Sequence, residues 1–309
     1  MAPHVHRPLE DRMMRGSGGR QMSNPRIPFQ LSTNRPNLPP PDGRPTIVQV
    51  TVALEYWPFD EPVPRKIVSG THGQDHLPDV ANYSWKEYGL RCGFPRILKV
   101  LQDRGIRANA CMSAGIIDLY PDVAEACLKA DWEFQGHCIH QKGLTAEDEA
   151  EVIAESRDRI EVFSGAPPRG WIGPEFRETF DTPDVLKATG YNYVSEWMLD
   201  DLPCWMETKH GPLVAVPYTV DLNDSMIYVV DRHTSSEQYD RLMHCLDAID
   251  AGLDLGPRVI TLPFHEHIMG VLHRIGFVAK ILDALLTRDD VIFMTGGEIC
   301  DWFTKAQAA

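Results

Sequence analysis

Val259-Ile-Thr-Leu-Pro-Phe-His265-Glu-His267-Ile-Met-Gly270-Val-Leu-His273-Arg274 reads as a β-branched strand that ends abruptly in polar side chains and gives way to an apolar helix. Three histidines and one arginine fall within ten residues. In β/α architectures catalytic groups collect where strands end and loops begin. Imidazole titrates nearest neutral pH, so it can both give and take a proton there. A His-x-His pair at a strand end can also bring two nitrogens to one metal or one substrate. The plain alternative is a polar surface loop. The density of histidine at one strand end favours a site.

Working outward, β-branched and apolar runs predict strands over 46–53, 106–112, 132–136, 191–195, 213–217, 259–264 and 291–294, with a short extended piece at 169–172. Periodic apolar positions predict helices over 84–104, 120–130, 145–163, 182–189, 235–252, 275–286 and 296–304. Ser84 with Glu87 reads as a capping box, and Thr145 reads as a cap with Asp148 in the first turn. Strands and helices alternate about seven or eight times, which favours a parallel sheet closed or curled into a barrel. A doubly wound open sheet is the second choice, but no GxGxxG follows an early strand. Residues 1–45 are rich in Arg, Pro, Ser and Gly and lack periodicity. They read as an extended arm lying across the domain or a partner subunit, and 46–309 as one domain.

The chain has 309 residues, 43% of them hydrophobic, which is enough for a large core. A formal net charge of −14 and the absence of a basic stripe argue against nucleic acid as a partner. No apolar run is long enough to span a bilayer, and the N-terminus has no signal-like apolar segment. A cytoplasmic protein is expected, with no membrane partner. Cys92, Cys111, Cys127, Cys138, Cys204, Cys245 and Cys300 form no CxxC pair, so neither a zinc knuckle nor a disulfide framework is expected.

Polar chemistry recurs at the other predicted strand ends: Leu54-Glu55-Tyr56-Trp57, Gly136-His137-Cys138-Ile139-His140-Gln141, Gly170-Trp171-Ile172-Gly173-Pro174, and Glu196 followed by Leu199-Asp200-Asp201-Leu202-Pro203. In a barrel these ends share one face. Each has a plainer reading. Glu55 could be an ion-pair partner, His137 a satisfied core histidine, and Trp171 and Trp205 walls or core. Tyr218, Asn223 and Asp224 could be turn residues or hydrogen-bond a polar heterocycle. Cys138 would need an activated thiolate to act as a nucleophile.

In this order the segments resemble the polysaccharide deacetylase family (carbohydrate esterase family 4) over about 46–302. They come nearest to its metal-independent allantoinase and cyclic imide hydrolase branch. Further matching pieces are Glu87-Tyr-Gly89-Leu-Arg91-Cys-Gly93, Asp200-Asp201-Leu-Pro203-Cys-Trp205, Val216-Pro-Tyr218-Thr-Val-Asp221-Leu-Asn223-Asp224 and Thr295-Gly-Gly297-Glu298-Ile. The resemblance implies a single distorted (β/α) barrel of the polysaccharide deacetylase type, and a homo-oligomer. It also implies His265 as the general acid. Where the family's first motif carries two aspartates, this chain has Ala53 and Glu55. Where the second motif offers a second histidine, it has Gln141, with His140 one residue short of the register. Ile172 replaces the third motif's arginine.

A divalent metal such as zinc, held by Glu55, His137 and His140, and a metal-free site both remain open at this point. The expected function is hydrolysis of a non-peptide carbon–nitrogen bond in a small molecule, such as a cyclic imide, ureide or hydantoin-like ring. Glu55, His265 and His267 are the expected catalytic residues. Trp57, Trp171, Asp201, Tyr218, Asn223, His273 and Arg274 are expected to bind substrate, with His267, His273 or Arg274 facing the oxyanion. A glycan or peptidoglycan N-deacetylase is the alternative, and a non-catalytic binding protein on the same fold the second. The aromatic residues beside the polar groups predict a small enclosed pocket, with the 69–78 insertion as a lid.

Overall fold

A computed structural model of the chain describes residues 23–70, 73–253 and 256–308. The first half runs β1 (Thr46–Leu54), α1 (Val80–Tyr88), α2 (Phe94–Gln102), β2 (Asn109–Met112), α3 (Gly115–Leu119), α4 (Pro121–Lys129), β3 (Glu133–Gly136) and α5 (Glu149–Ser164). There follow β4 (Gly170–Trp171), α6 (Thr182–Thr189), β5 (Tyr193–Val194), β6 (Cys204–Met206) and β7 (Leu213–Ala215). The chain ends with α7 (Glu237–Asp250), β8 (Arg258–His265), α8 (Glu266–Met269), α9 (Leu272–Leu286), β9 (Val291–Phe293) and α10 (Gly296–Ala308).

The sheet order is β6-β7-β5-β4-β3-β2-β1-β8. Every pairing is parallel except β6 with β7. β8 takes one edge of β1 along Thr46–Ala53, so β9 and β2 share the other, at Thr46–Val48 and Thr51–Leu54. The expected distorted barrel is therefore a curled half-barrel. All nine positions of β1 are buried, as a central strand covered on both faces requires. Ile97 and Leu101 of α2 and Val278, Ile281, Leu282 and Leu285 of α9 fall at helical spacing and close the main core. Each such fully buried aliphatic side chain contributes roughly 1.5–3 kcal/mol. Among the described residues, no helix is long and apolar enough to cross a membrane.

Three local expectations need correction. The single helix over 84–104 is α1, a five-residue π turn over Gly89–Gly93, and α2. Asp79, not Ser84, caps α1, accepting from the Asn82 backbone N–H at 3.2 Å. The Ser84 hydroxyl instead donates back to the Ala81 carbonyl. The π turn exists because the chain must lie against the segment after β8. A Cβ on Gly89 would press on His267, and one on Gly93 would collide with the Glu266 carbonyl. Thr145 does not cap α5, which begins at Glu149; Asp148 accepts from the Thr145 N–H at 2.9 Å. β6 was not expected; three residues give too short a pattern to read.

Residues 23–45 lie as an arm across their own domain. Ile27 and Leu38 are buried in core clusters. The Arg26 guanidinium spans both Asp184 carboxylate oxygens at 3.0 and 2.9 Å, and the Arg26 carbonyl accepts from Glu207 N–H. Residues 1–22 of the expected arm lie outside the described residues.

One buried ion pair ties α1 to the end of β8. Lys86 bonds Glu266, with side chains 3% and 0% exposed. Burial alone would raise the Glu266 pKa, but Lys86 and His267 override it and hold the carboxyl below its ordinary value. Stripping one partner leaves a buried charge unmatched. Lys86→Met should therefore cost about 3–5 kcal/mol in urea denaturation, and Lys86→Met with Glu266→Leu should regain most of it. A single variant as stable as wild type would show that the pair does not hold α1 in place.

Candidate active site

The β1–β8 register sets Ala53 against His265. Glu55, just beyond the end of β1, thereby comes beside the imidazole. Glu55 Oε1 lies 3.5 Å from His265 Nε2. The other Glu55 oxygen accepts from the Trp57 indole N–H at 2.9 Å. On the far side of the ring, His265 Nδ1 donates to Asp224 Oδ1 at 2.6 Å, and the His265 backbone N–H donates to Asp224 Oδ2 at 2.6 Å. Asp224 thus holds both the strand end and the tautomer, and turns Nε2 toward Glu55.

The charges follow from this packing. Burial by itself would lower the His265 pKa, but Asp224 and then Glu55 overcome it and push the value up to about 10. Burial would raise Glu55, yet the charge of His265, with Lys86 behind, holds it well below the usual carboxylate range. At neutral pH the pair is an imidazolium facing a carboxylate.

A cavity of about 370 Å³ opens on this pair. It gathers Glu55, Trp57, His137, Tyr218, Asn223, His265 and His267 of the sequence-predicted residues. Ile172 and Phe176 supply apolar wall, and Pro64, Arg65 and Arg177 also line it. His267 is 2% exposed, with its ring edge-on to Trp85 and Trp57 at 4.5 and 5.7 Å. Burial lowers its pKa, so it stays neutral at pH 7. The Tyr218 hydroxyl accepts from Asn223 Nδ2 at 2.8 Å, while Asn223 Oδ1 accepts from the Ser225 and Met226 N–H groups at 2.8 and 3.3 Å. Those two backbone donors fix the amide's orientation, so the Tyr218 proton is left for the cavity.

The structure places the other predicted residues elsewhere. Trp171 is fully buried and packs edge-on against Tyr191, because β4 turns it into a core cluster. Asp201 is exposed beside a separate surface depression. His273 is exposed near the start of α9. Arg274 stacks over Tyr228 at 4.4 Å and reaches the Ile268 carbonyl, away from the cavity. The lid also needs correction. Among the described residues, none of 69–78 lines the cavity, and Pro64 and Arg65 do so instead; His72 of that insertion lies outside the described residues.

Two contributors, Asp224 and Glu196, were noted from sequence only as a turn candidate and a strand-end residue, without the contacts the structure gives them. Asp224 is 41 residues from His265, and no spacing rule links a carboxylate to a histidine at that distance. Glu196 is buried, and its carboxylate accepts from the Gly173 N–H at 2.5 Å, shaping the loop that carries Phe176 and Arg177. Burial and then Glu178 raise its pKa well above the ordinary value. Cys138 is buried, and burial pushes its thiol pKa up, which removes it as a nucleophile.

The donor set does not fit a three-ligand metal centre. Among the described residues, no three His, Cys, Asp or Glu side chains converge as metal donors. His140 turns edge-on to Tyr56 with Nε2 4.0 Å from Glu61, away from His137. His137 Nδ1 lies 2.6 Å from the Ile172 carbonyl, and its Nε2 lies 2.7 Å from the Gln141 side-chain amide. Burial lowers the His137 pKa. Both ring nitrogens are engaged, Nδ1 with the Ile172 carbonyl and Nε2 with Gln141 Oε1, and Gln141 stands where a metal would need a third anionic or imidazole donor.

Comparison with known proteins agrees with this fold. Residues 83–194 match the polysaccharide deacetylase family. A putative polysaccharide deacetylase of Schizosaccharomyces pombe is 27% identical over 244 residues, 71% of this chain and 75% of that protein. A peptidoglycan deacetylase of Helicobacter pylori is 21% identical over 160 residues, 51% of this chain and 54% of that protein. The crystal structure of the Puue allantoinase superposes with a TM-score of 0.78 at 21% identity, over 88% of this chain and 95% of that one. A probable polysaccharide deacetylase from Pseudomonas aeruginosa gives 0.76 at 21% identity, with the same coverage. Residues 83–194 thus match the polysaccharide deacetylase domain, of a family of hydrolases acting on carbon–nitrogen bonds other than peptide bonds.

Proposed function

We propose that the cavity opens a small cyclic amide, such as an imide, ureide or hydantoin-like ring. The observation that carries this reading is the Asp224–His265–Glu55 chain on a cavity of about 370 Å³. That volume is at the small end for ligand pockets and suits one ring better than a polymer segment. The structural likeness to an allantoinase supports the same reading.

In this mechanism Glu55 takes a proton from water as the water oxygen bonds to the ring carbonyl carbon. The Tyr218 hydroxyl donates to the carbonyl oxygen as it gains charge. Burial first, and then Asp224, push the Tyr218 pKa well above the ordinary phenol, so its proton stays in place. His265 then gives its Nε2 proton to the ring nitrogen as the carbon–nitrogen bond breaks. The product carries a free N–H and a new carboxyl group. Glu55 and His265 are 3.5 Å apart, longer than a charge-assisted hydrogen bond, so each can turn to a reactant and later pass the proton back. Trp57 fixes the carboxylate, and His267 with its aromatic neighbours walls off water.

Removal of a residue that acts as general acid or base costs about 10²–10⁴ in rate. His265→Ala and Glu55→Gln should each lower kcat on succinimide or hydantoin by that much in protein that circular dichroism shows to be folded at the assay temperature. Near-normal turnover in either folded variant would remove that residue from the mechanism.

The acid must be protonated to work, so kcat/KM should fall as pH rises through about 10. Asp224→Asn takes away the first force that raises the His265 pKa. The basic limb should then move down toward the ordinary imidazole value of about 6.5. A limb unmoved in Asp224→Asn would mean that another group is the acid.

The named sequence relatives favour a second reading, N-deacetylation of a glycan. Assays on succinimide, allantoin and chitooligosaccharides separate the two. Turnover is expected on the small rings alone, and activity that grows with oligosaccharide length would restore the glycan reading.

A further inference from the structure

We propose that Arg65 is a binding anchor for a carboxylate carried by the substrate, so that the preferred substrates are anionic cyclic amides. This rests on the ring-opening reading and narrows its substrate class.

The argument starts from charge pairing near the cavity. Arg177 lines the cavity and is paired with Glu175 at 2.9 Å, and Lys66 is paired with Asp75. Arg65 lines the same cavity and is half-buried. Among the described residues it has no ion pair, hydrogen bond or ring contact. The anions of the cavity do not serve it. Glu55 is matched by His265 and Trp57, Glu175 by Arg177, and Asp224, behind the His265 ring, accepts two bonds from that histidine. A guanidinium partly withdrawn from water without a carboxylate is unfavourable in the empty protein and favourable once an anion arrives.

The segment that carries Arg65 is also held in place. Val63 is buried on one side. On the other, the Ile67 and Val68 N–H groups donate to Asn82 Oδ1 at 2.9 and 3.0 Å, and Asn82 Nδ2 donates to the Val68 carbonyl at 2.9 Å. Asn82 is 1% exposed, and Asp79 fixes its amide at 2.8 Å. Arg65 therefore sits between two anchors, and less ordering is lost when it binds. Its planar fork of five N–H donors matches a carboxylate in two parallel hydrogen bonds. The class of ligand is thus a compact ring with a short carboxylate arm.

The test compares hydantoin with hydantoin-5-acetate, which differ by that arm. Wild type should favour the acetate by about 10–100-fold in kcat/KM, chiefly through KM. Arg65→Gln should collapse that ratio toward one, and Arg65→Lys should keep part of it. Calorimetry in a Glu55→Gln background reads binding apart from turnover. Hydantoin-5-acetate should bind more tightly than hydantoin there, and Arg65→Gln should erase the difference. Equal affinity for the two ligands, or a ratio that survives Arg65→Gln, would overturn the assignment. Arg65-dependent binding of the acetate with no hydrolysis by wild type would uphold the anchor and remove the ring-opening reading.

Discussion

The site depends on the parallel pairing of β1 with β8. Eight residue pairs, from Thr46 with Arg258 to Ala53 with His265, fix where each strand stops. Side chains alternate faces along a strand, so a slip of one residue would turn His265 away from Glu55. Two things guard the register. β1 is buried at every position, so a slip would misplace an entire apolar run. Asp224 grips both the backbone and the ring of His265, so the strand end and the imidazole orientation are set by one carboxylate.

The charges paired at this site also tie its stability to pH. His265 has a folded pKa above its unfolded value. Its contribution to stability is complete below about 6.5 and is lost as pH rises through about 10. Glu55 has a depressed folded pKa. Its contribution is present above the ordinary carboxylate range and is lost as pH falls below it. Between these limits the imidazolium and carboxylate stabilise each other in a buried setting where either one alone would be costly. Lys86 and Glu266 repeat the arrangement just behind, with His267 packed beside Glu266. The Glu55–His265 pair therefore rests on a second buried ion pair.

Much of this was legible in the chain because the strands are long or buried and their ends are polar. β1 and β8 read directly from β-branched runs, and Glu55, His137, His265 and His267 from their places at strand ends. What escaped notice depends on contacts between distant segments. The break between α1 and α2 reflects the close approach of Gly89 and Gly93 to the 266–270 segment, which no local pattern reports. Trp171, Asp201, His273 and Arg274 sit near polar ends in sequence, but the direction of each side chain is set by tertiary packing. Trp171 follows the pleat into the core, and Arg274 finds the Tyr228 ring. Asp224 illustrates the converse: it looked like a turn residue, and only the fold brings it under His265.

The departures from the family's motif residues are also coupled to one another. Ala53 lines the cavity and pairs in register with His265. An aspartate there would add a third carboxylate to a buried site that already holds Glu55 and Asp224 with one imidazolium between them. Like charges so placed raise one another's pKa, and one carboxyl would sit protonated. With alanine at 53, the carboxylate that faces His265 is the longer Glu55, oriented by the Trp57 indole. Gln141 completes the change on the other wall, because its side-chain oxygen engages His137 Nε2 without adding charge. Alanine, glutamate and glutamine at these positions are therefore parts of one electrostatic solution, in which a single imidazolium faces a single carboxylate and neither Ala53 nor Gln141 adds a charge beside them.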